Sequence, residues 1–81
     1  MIRATQYQDL ANGIIEQAAK DYVEALQLDD ERTIRECERF FMSTWFEVLT
    51  EMDGEVIMEK LQKIAGRRGI LYDPKARYGN P

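Results

Sequence analysis

The sequence predicts an all-α fold: a small bundle of three to four helices followed by an irregular basic tail. Apolar residues recur at steps of three and four along most of the chain, the spacing that puts them on one helical stripe. Residues suited to helix caps stand at each break in that spacing. The last fifteen residues, RRGILYDPKARYGNP, lose the period and bring two glycines and two prolines. The chain therefore divides into a helical domain over 1–66 and a tail over 67–81.

The first helix is expected over residues 6–27, with Tyr7, Leu10, Ala11, Ile14, Ala18, Tyr22 and Leu26 on its apolar stripe. Thr5 with Gln8 has the spacing of a capping box. Asn12-Gly13 also reads as a hairpin turn, but its flanks alternate poorly and hold good helix formers. Gly13 is then a helical glycine, costing about 1 kcal/mol and kept where another backbone comes close.

Asp29 or Asp30 caps a second helix running to about Met42, with Ile34, Cys37 and Phe41 inward and an acidic start that suits the helix dipole. Glu31/Arg35 and Arg32/Glu36 pair one turn apart on its outer face. Ser43 or Thr44 interrupts the pattern, and Thr44 with Glu47 has capping-box spacing, so a short third helix is expected over 44–51. A single helix from 30 to 51 is the competing reading. Asp53 caps a fourth helix beginning at Gly54, with Met52 and Ile57 placed as a hydrophobic staple. Val56, Ile57, Leu61 and Ile64 form its stripe, Glu59 and Lys63 pair across a turn, and Gly66 ends it.

Eighty-one residues make one small domain, which buries roughly 60% of its unfolded surface. A single cysteine excludes an internal disulfide, and with no histidine a structural zinc site is implausible. Self-association is the remaining aid to stability, so a homo-oligomer is expected. The N-terminal stretch MIRATQYQDLANG lacks the apolar core of a signal peptide, and nowhere do ~18 apolar residues run together. The lone thiol suits a reducing interior, and the expected location is the cytoplasm, with no membrane association.

No enzyme is expected. Without histidine, the Ser-His and Cys-His nucleophile arrangements are excluded, and Cys37 on an inward stripe behaves as a small inert hydrophobe. Glu47, Glu51, Glu55 and Glu59 recur at four-residue intervals, but Asp53-Gly54 interrupts the helix, so they do not share one face. GRRG lacks the spacing of a phosphate-binding loop. No metal and no cofactor are implied.

Charge is sorted along the chain. Residues 1–20 are balanced, residues 21–59 carry twelve acids against three bases, and residues 60–81 carry six bases against one acid. Summed fields of this kind steer partners. The acidic candidates for a protein partner are Asp29, Asp30, Glu31, Glu36, Glu47, Glu51 and Glu55. In the tail, Arg67, Arg68, Lys75 and Arg77 are interleaved with Tyr72 and Tyr78, a combination of phosphate-neutralising charge and stacking rings, so the tail is a candidate contact for a partner or a nucleic acid. Helix-turn-helix recognition fails, because its would-be reading helix opens Asp-Gly-Glu and carries Glu59. Phe40, Phe41, Trp45 and Phe46 are the densest apolar material; four rings within seven residues do not all point one way, which makes Phe40, Trp45 and Phe46 candidates for self-association.

With IIEQAAKDYVEAL (Ile14–Leu26) ahead of ERFFMSTWFEVLTEMDGEVIMEKL (Glu38–Leu61), the chain resembles small proteins encoded by phages and prophages of Firmicutes-type bacteria. They share an ERFF…S-x-WF-x-x-LT-x-x-DGE pattern after a QAAKDY-like helix. The likeness spans roughly residues 12–61 and leaves out the tail from Arg67. Members look more basic between the two motifs, where this chain has the short acidic LQLDDERTIRE. The resemblance implies a helical fold and a bacterial host cell, and brings no catalytic residues. The expected function is that of a non-enzymatic accessory binding protein, an inhibitor of a host defence or regulatory complex acting through its acidic helical surface, where carboxylates imitate phosphate spacing. The alternatives are nucleic-acid binding through the tail and a structural homo-oligomeric subunit.

Overall fold

The turn at Asp29-Asp30 organises the molecule, because it sends the long first helix back on itself. The computed structural model describes the backbone of residues 4–71 and the side chains of residues 12–71. Within that span lie four helices and no strand: α1 (Ala4–Leu28), α2 (Glu31–Phe41), α3 (Thr44–Leu49) and α4 (Gly54–Ala65). No helix among the described residues is long and apolar enough to cross a membrane.

α1 ends with Asp29 in the left-handed region at φ 61°, a conformation that aspartate tolerates better than most residues. This lets the Asp30 N–H donate to the Ala25 carbonyl at 2.9 Å, the six-to-one bond of a Schellman ending. Asp30 then caps α2, accepting from the Thr33 N–H at 3.3 Å and the Thr33 hydroxyl at 2.7 Å. These bonds hold its carboxyl below the usual range. Ile34, Cys37 and Phe41 face inward as the spacing predicts.

Residues 30–51 form two helices, divided where Ser43 caps α3 by accepting from the Phe46 N–H at 3.1 Å. The cap stands one residue ahead of Thr44, which is itself helical, and α3 stops at Leu49. Asp53 caps α4 through the Glu55 N–H at 2.9 Å, and Gly66, at φ 75°, ends it. At the other end, α1 already includes Thr5, so the cap read there is not formed at that residue.

The core is small: Ile15, Tyr22, Ala25, Leu26, Ile34, Cys37, Phe41, Phe46 and Met58. Phe40, Phe41 and Phe46 pack edge to face with centroids 5.4–5.6 Å apart, and Tyr22 joins through Phe41 at 5.8 Å.

The expected stripes hold in part, since Ala18, Tyr22 and Leu26 of α1 and Ile57 and Leu61 of α4 lie in or against the core, and they fail at single positions. In α1, Ile15 is buried and Ile14 is 44% exposed, while Tyr7, Leu10 and Ala11 have side chains outside the described residues. In α4, Gly54, Met58 and Gln62 are buried, whereas Val56 and Ile64 are exposed. Gly54 is the cause. A Cβ on it would stand 2.0 Å from the Phe41 carbonyl oxygen, so only glycine lets α4 start against the end of α2. That contact turns the 54/58/62 row inward. Gly13, the glycine expected at a close approach, has nothing within 4 Å of where its Cβ would be.

Candidate interaction surface

At the centre of the bundle lies a polar cluster that periodicity reasoning passed over. Glu38 of α2 is fully buried. Its Oε2 accepts from the Tyr22 hydroxyl of α1 at 2.5 Å, and that hydroxyl accepts from Gln62 Nε2 of α4 at 2.8 Å. Glu38 Oε1 accepts from the backbone N–H groups of Ile70 and Leu71, at 3.0 and 2.6 Å. Burial, and then the bond to Glu38, push the Tyr22 phenol above its ordinary range, so it stays a neutral donor. No buried side-chain polar atom among the described residues lacks a partner. With Tyr22 and Glu38 fully enclosed, the cluster has no face for a substrate. It joins three helices and the segment after α4.

The sequence did carry a signal for it. Glu38 lies four residues after Ile34 and three before Phe41, and Gln62 four after Met58 and three before Ala65, both on inward stripes. A polar residue at such a position is a candidate for a buried network.

The acidic candidates separate by what they touch. Asp29 meets Arg67 at 2.8 Å, Glu31 meets Arg35 at 3.8 Å, and Glu36 meets Arg32 at 3.4 Å. Asp30 is a cap. Exposed pairs one turn apart contribute a few tenths of a kcal/mol, but they use carboxylates otherwise offered to a partner. Glu47 and Glu51 remain exposed, with no cation among the described residues. Glu55 is half-buried in the first turn of α4.

The basic tail is likewise narrowed. Arg67 has a structural partner in Asp29, tying the end of α4 to the end of α1, and its Nη1 donates to the Arg68 carbonyl at 3.1 Å. Arg68 is exposed. Tyr72, Lys75, Arg77 and Tyr78 lie outside the described residues.

Of the three rings proposed for self-association, Phe46 is 1% exposed and presents no free face, while Phe40 is half-buried at the edge of the core. Phe46 is corrected to core, because the break at Ser43 turns it inward. Trp45 is 58% exposed and Val48, one turn on, 60% exposed. Met42 and Met52 flank them, both exposed. Beside this ridge a cleft of about 430 Å³ is lined by Phe41, Met42, Phe46 and Met52, with Glu47, Asp53, Gly54 and Glu55. The α3 end of the bundle thus presents an indole and aliphatic side chains bordered by carboxylates. Comparison with protein-family models, with curated proteins and with solved structures finds no significant match to the chain.

Proposed function

We propose that this is a non-enzymatic accessory binding protein whose partner surface is the ridge of α3, formed by Trp45 and Val48 with Glu47 and Glu51 beside them. The carrying observation is that a six-residue helix buries Phe46 and leaves Trp45 and Val48 more than half exposed. Exposed tryptophan is disproportionately a binding anchor. The two carboxylates favour approach by a basic partner and disfavour a nucleic-acid backbone. The specific form of this reading is an inhibitor of a host defence or regulatory complex, acting inside a bacterial cell. The acidic surface of this reading is smaller than the sequence suggested, since caps and ion pairs occupy Asp29, Asp30, Glu31 and Glu36.

The test is affinity purification from an infected or lysogenic host, comparing wild type with Trp45→Ala/Val48→Asp and with Glu47→Lys/Glu51→Lys. A partner retained by wild type and lost from both variants is expected. The same partner captured equally by all three would end the reading. Light scattering on the same proteins separates self-association: a wild-type oligomer that Trp45→Ala converts to a monomer makes the ridge a homotypic contact.

A further inference from the structure

We propose that the groove between α1 and α4 is a self-docking surface, covered by a second copy of the chain in an antiparallel two-fold dimer. The groove holds about 410 Å³ and is lined by Ala19, Lys20, Val23, Glu24 and Gln27 of α1 with Leu61 of α4. No residue of the α3 ridge takes part in it.

The floor of the groove is apolar and incompletely covered. Ala19, Val23 and Leu61 are half-buried, and Ile64, one turn beyond Leu61, is 68% exposed. α4 therefore carries two rows. Gly54, Met58 and Gln62 face its own core, while Ile57, Leu61 and Ile64 form a neighbouring apolar row that the bundle covers only in part. Hiding such a row in a dimer is one of the few aids to stability open to a domain of this size.

The charges at the edge of the groove are those that a second copy complements. Lys20 and Glu24 are both exposed. Lys20 meets Glu16 at 3.3 Å in solvent, and Glu24 is in no ion pair among the described residues. The bond between Gln62 and Tyr22 sets α4 and α1 level at those two residues, and the pair of Arg67 with Asp29 makes the helices run the same way. A two-fold axis crossing both helices at that level lays α1 antiparallel on its counterpart, and α4 on its own. Lys20, two positions before Tyr22, then faces Glu24 of the second copy, two positions after it, and the symmetry forms that pair twice. Val23 falls between Ala19 and Val23 of the second copy, and Leu61 comes beside its counterpart near the axis. Apolar contact supplies the attraction, while the exposed ion pairs choose this register over others. The dimer stands independently of what the Trp45 ridge binds.

The test is sedimentation velocity on the full chain across protein concentration. Wild type should pass from monomer to dimer as concentration rises. Lys20→Glu and Glu24→Lys each place like charges opposite one another, so each alone should stay monomeric at concentrations where wild type is a dimer. Both positions are exposed, and circular dichroism should show the helices kept. An equimolar mixture of the two variants should dimerise again, because Glu at 20 of one chain faces Lys at 24 of the other and Lys20 faces Glu24. Trp45→Ala should dimerise as wild type does. A wild type that is monomeric at every concentration would overturn the proposal, as would a single charge variant that dimerises like wild type or a mixture that stays monomeric. Loss of the dimer in Trp45→Ala would move the contact to the α3 ridge and overturn it too.

Discussion

Between α1, α2 and α4 a carboxylate, a phenol and an amide lie wholly inside the protein, while on α3 an indole and a valine face solvent. The two regions invert the usual placement of polar and apolar groups, and they do so for different reasons. The buried cluster is closed: its described hydrogen bonds link three helices and the chain after Gly66 to one another. The α3 ridge is open, with apolar side chains that no described part of the chain covers. A satisfied buried network fixes one arrangement of helices, whereas exposed apolar surface at one end points outward to another molecule.

Removing the centre of the closed region should have the largest effect. Glu38→Ala withdraws the acceptor of the Tyr22 hydroxyl and of two backbone N–H groups, at a cost of about 3–5 kcal/mol. A domain of this size has roughly 4–12 kcal/mol in total. Urea denaturation should therefore show a large fall in midpoint, and amide exchange at Ile70 and Leu71 should accelerate. Glu38→Gln keeps one acceptor oxygen and should lose less. A midpoint unchanged in the alanine variant would mean that the cluster is incidental to the fold.

The next effect separates two glycines. Gly54→Ala drives a methyl into the Phe41 carbonyl and should destabilise by about 1–3 kcal/mol, since the obstacle is backbone and does not swing aside. Gly13→Ala meets nothing and should stabilise by about 0.5–1 kcal/mol through helix propensity. Thermal melts of the pair, opposite in sign, would locate the close approach at the start of α4.

How much of this was legible in the sequence depends on what kind of signal each feature leaves. Caps are local chemistry, so Asp30, Asp53 and Gly66 were readable from residue type and spacing. The α2 stripe was readable because Ile34, Cys37 and Phe41 are apolar on the face they bury. The α4 stripe was legible at Ile57 and Leu61, which pack against the core, but not at Gly54, Met58 and Gln62, because the contact between Gly54 and a carbonyl thirteen residues earlier is encoded by no local period. Glu38 was missed because a charged residue on an inward stripe looks like an interruption until its partners, on α1 and beyond α4, are placed around it. The partnership of Arg67 with Asp29 is equally non-local; sequence alone showed a basic tail and an acidic turn and did not show that they meet. The ridge was half legible. Four rings in seven residues implied that some ring faces outward, but the choice of Trp45 over Phe46 required the break at Ser43.

A smaller effect, confined to alkaline pH, comes from the inner faces of α1 and α2. Burial pushes the Cys37 thiol from its ordinary 9 up to about 11, with nearby acids adding to the shift. Below pH 9 the thiol is protonated in both states and contributes no pH dependence. Between 9 and 11 the unfolded chain loses the proton while the folded chain retains it, so stability falls as pH rises, by about 1 kcal/mol at pH 10. The Tyr22 phenol adds to the fall with the same sign above pH 10. Cys37→Ala should flatten the fall between pH 9 and 10 and leave the steeper part above it. A variant that tracked wild type through that window would show that the thiol is not held protonated by the fold.

The smallest effect on stability is expected on the open region, and that smallness makes it informative. Trp45 and Val48 lie more than half exposed on α3, whose attachment to the core runs through Phe46 and Leu49. Replacing Trp45 with alanine removes surface that folding hardly buries, so the urea midpoint should move by no more than about 0.5 kcal/mol. A loss of 2 kcal/mol or more would mean that the indole is covered in solution, by a second copy or by residues beyond the described span. Repeating the measurement across protein concentration separates those two, since only a second copy makes the loss concentration-dependent. A near-zero change together with lost partner capture would place the indole outside the fold's own energetics and assign it to recognition.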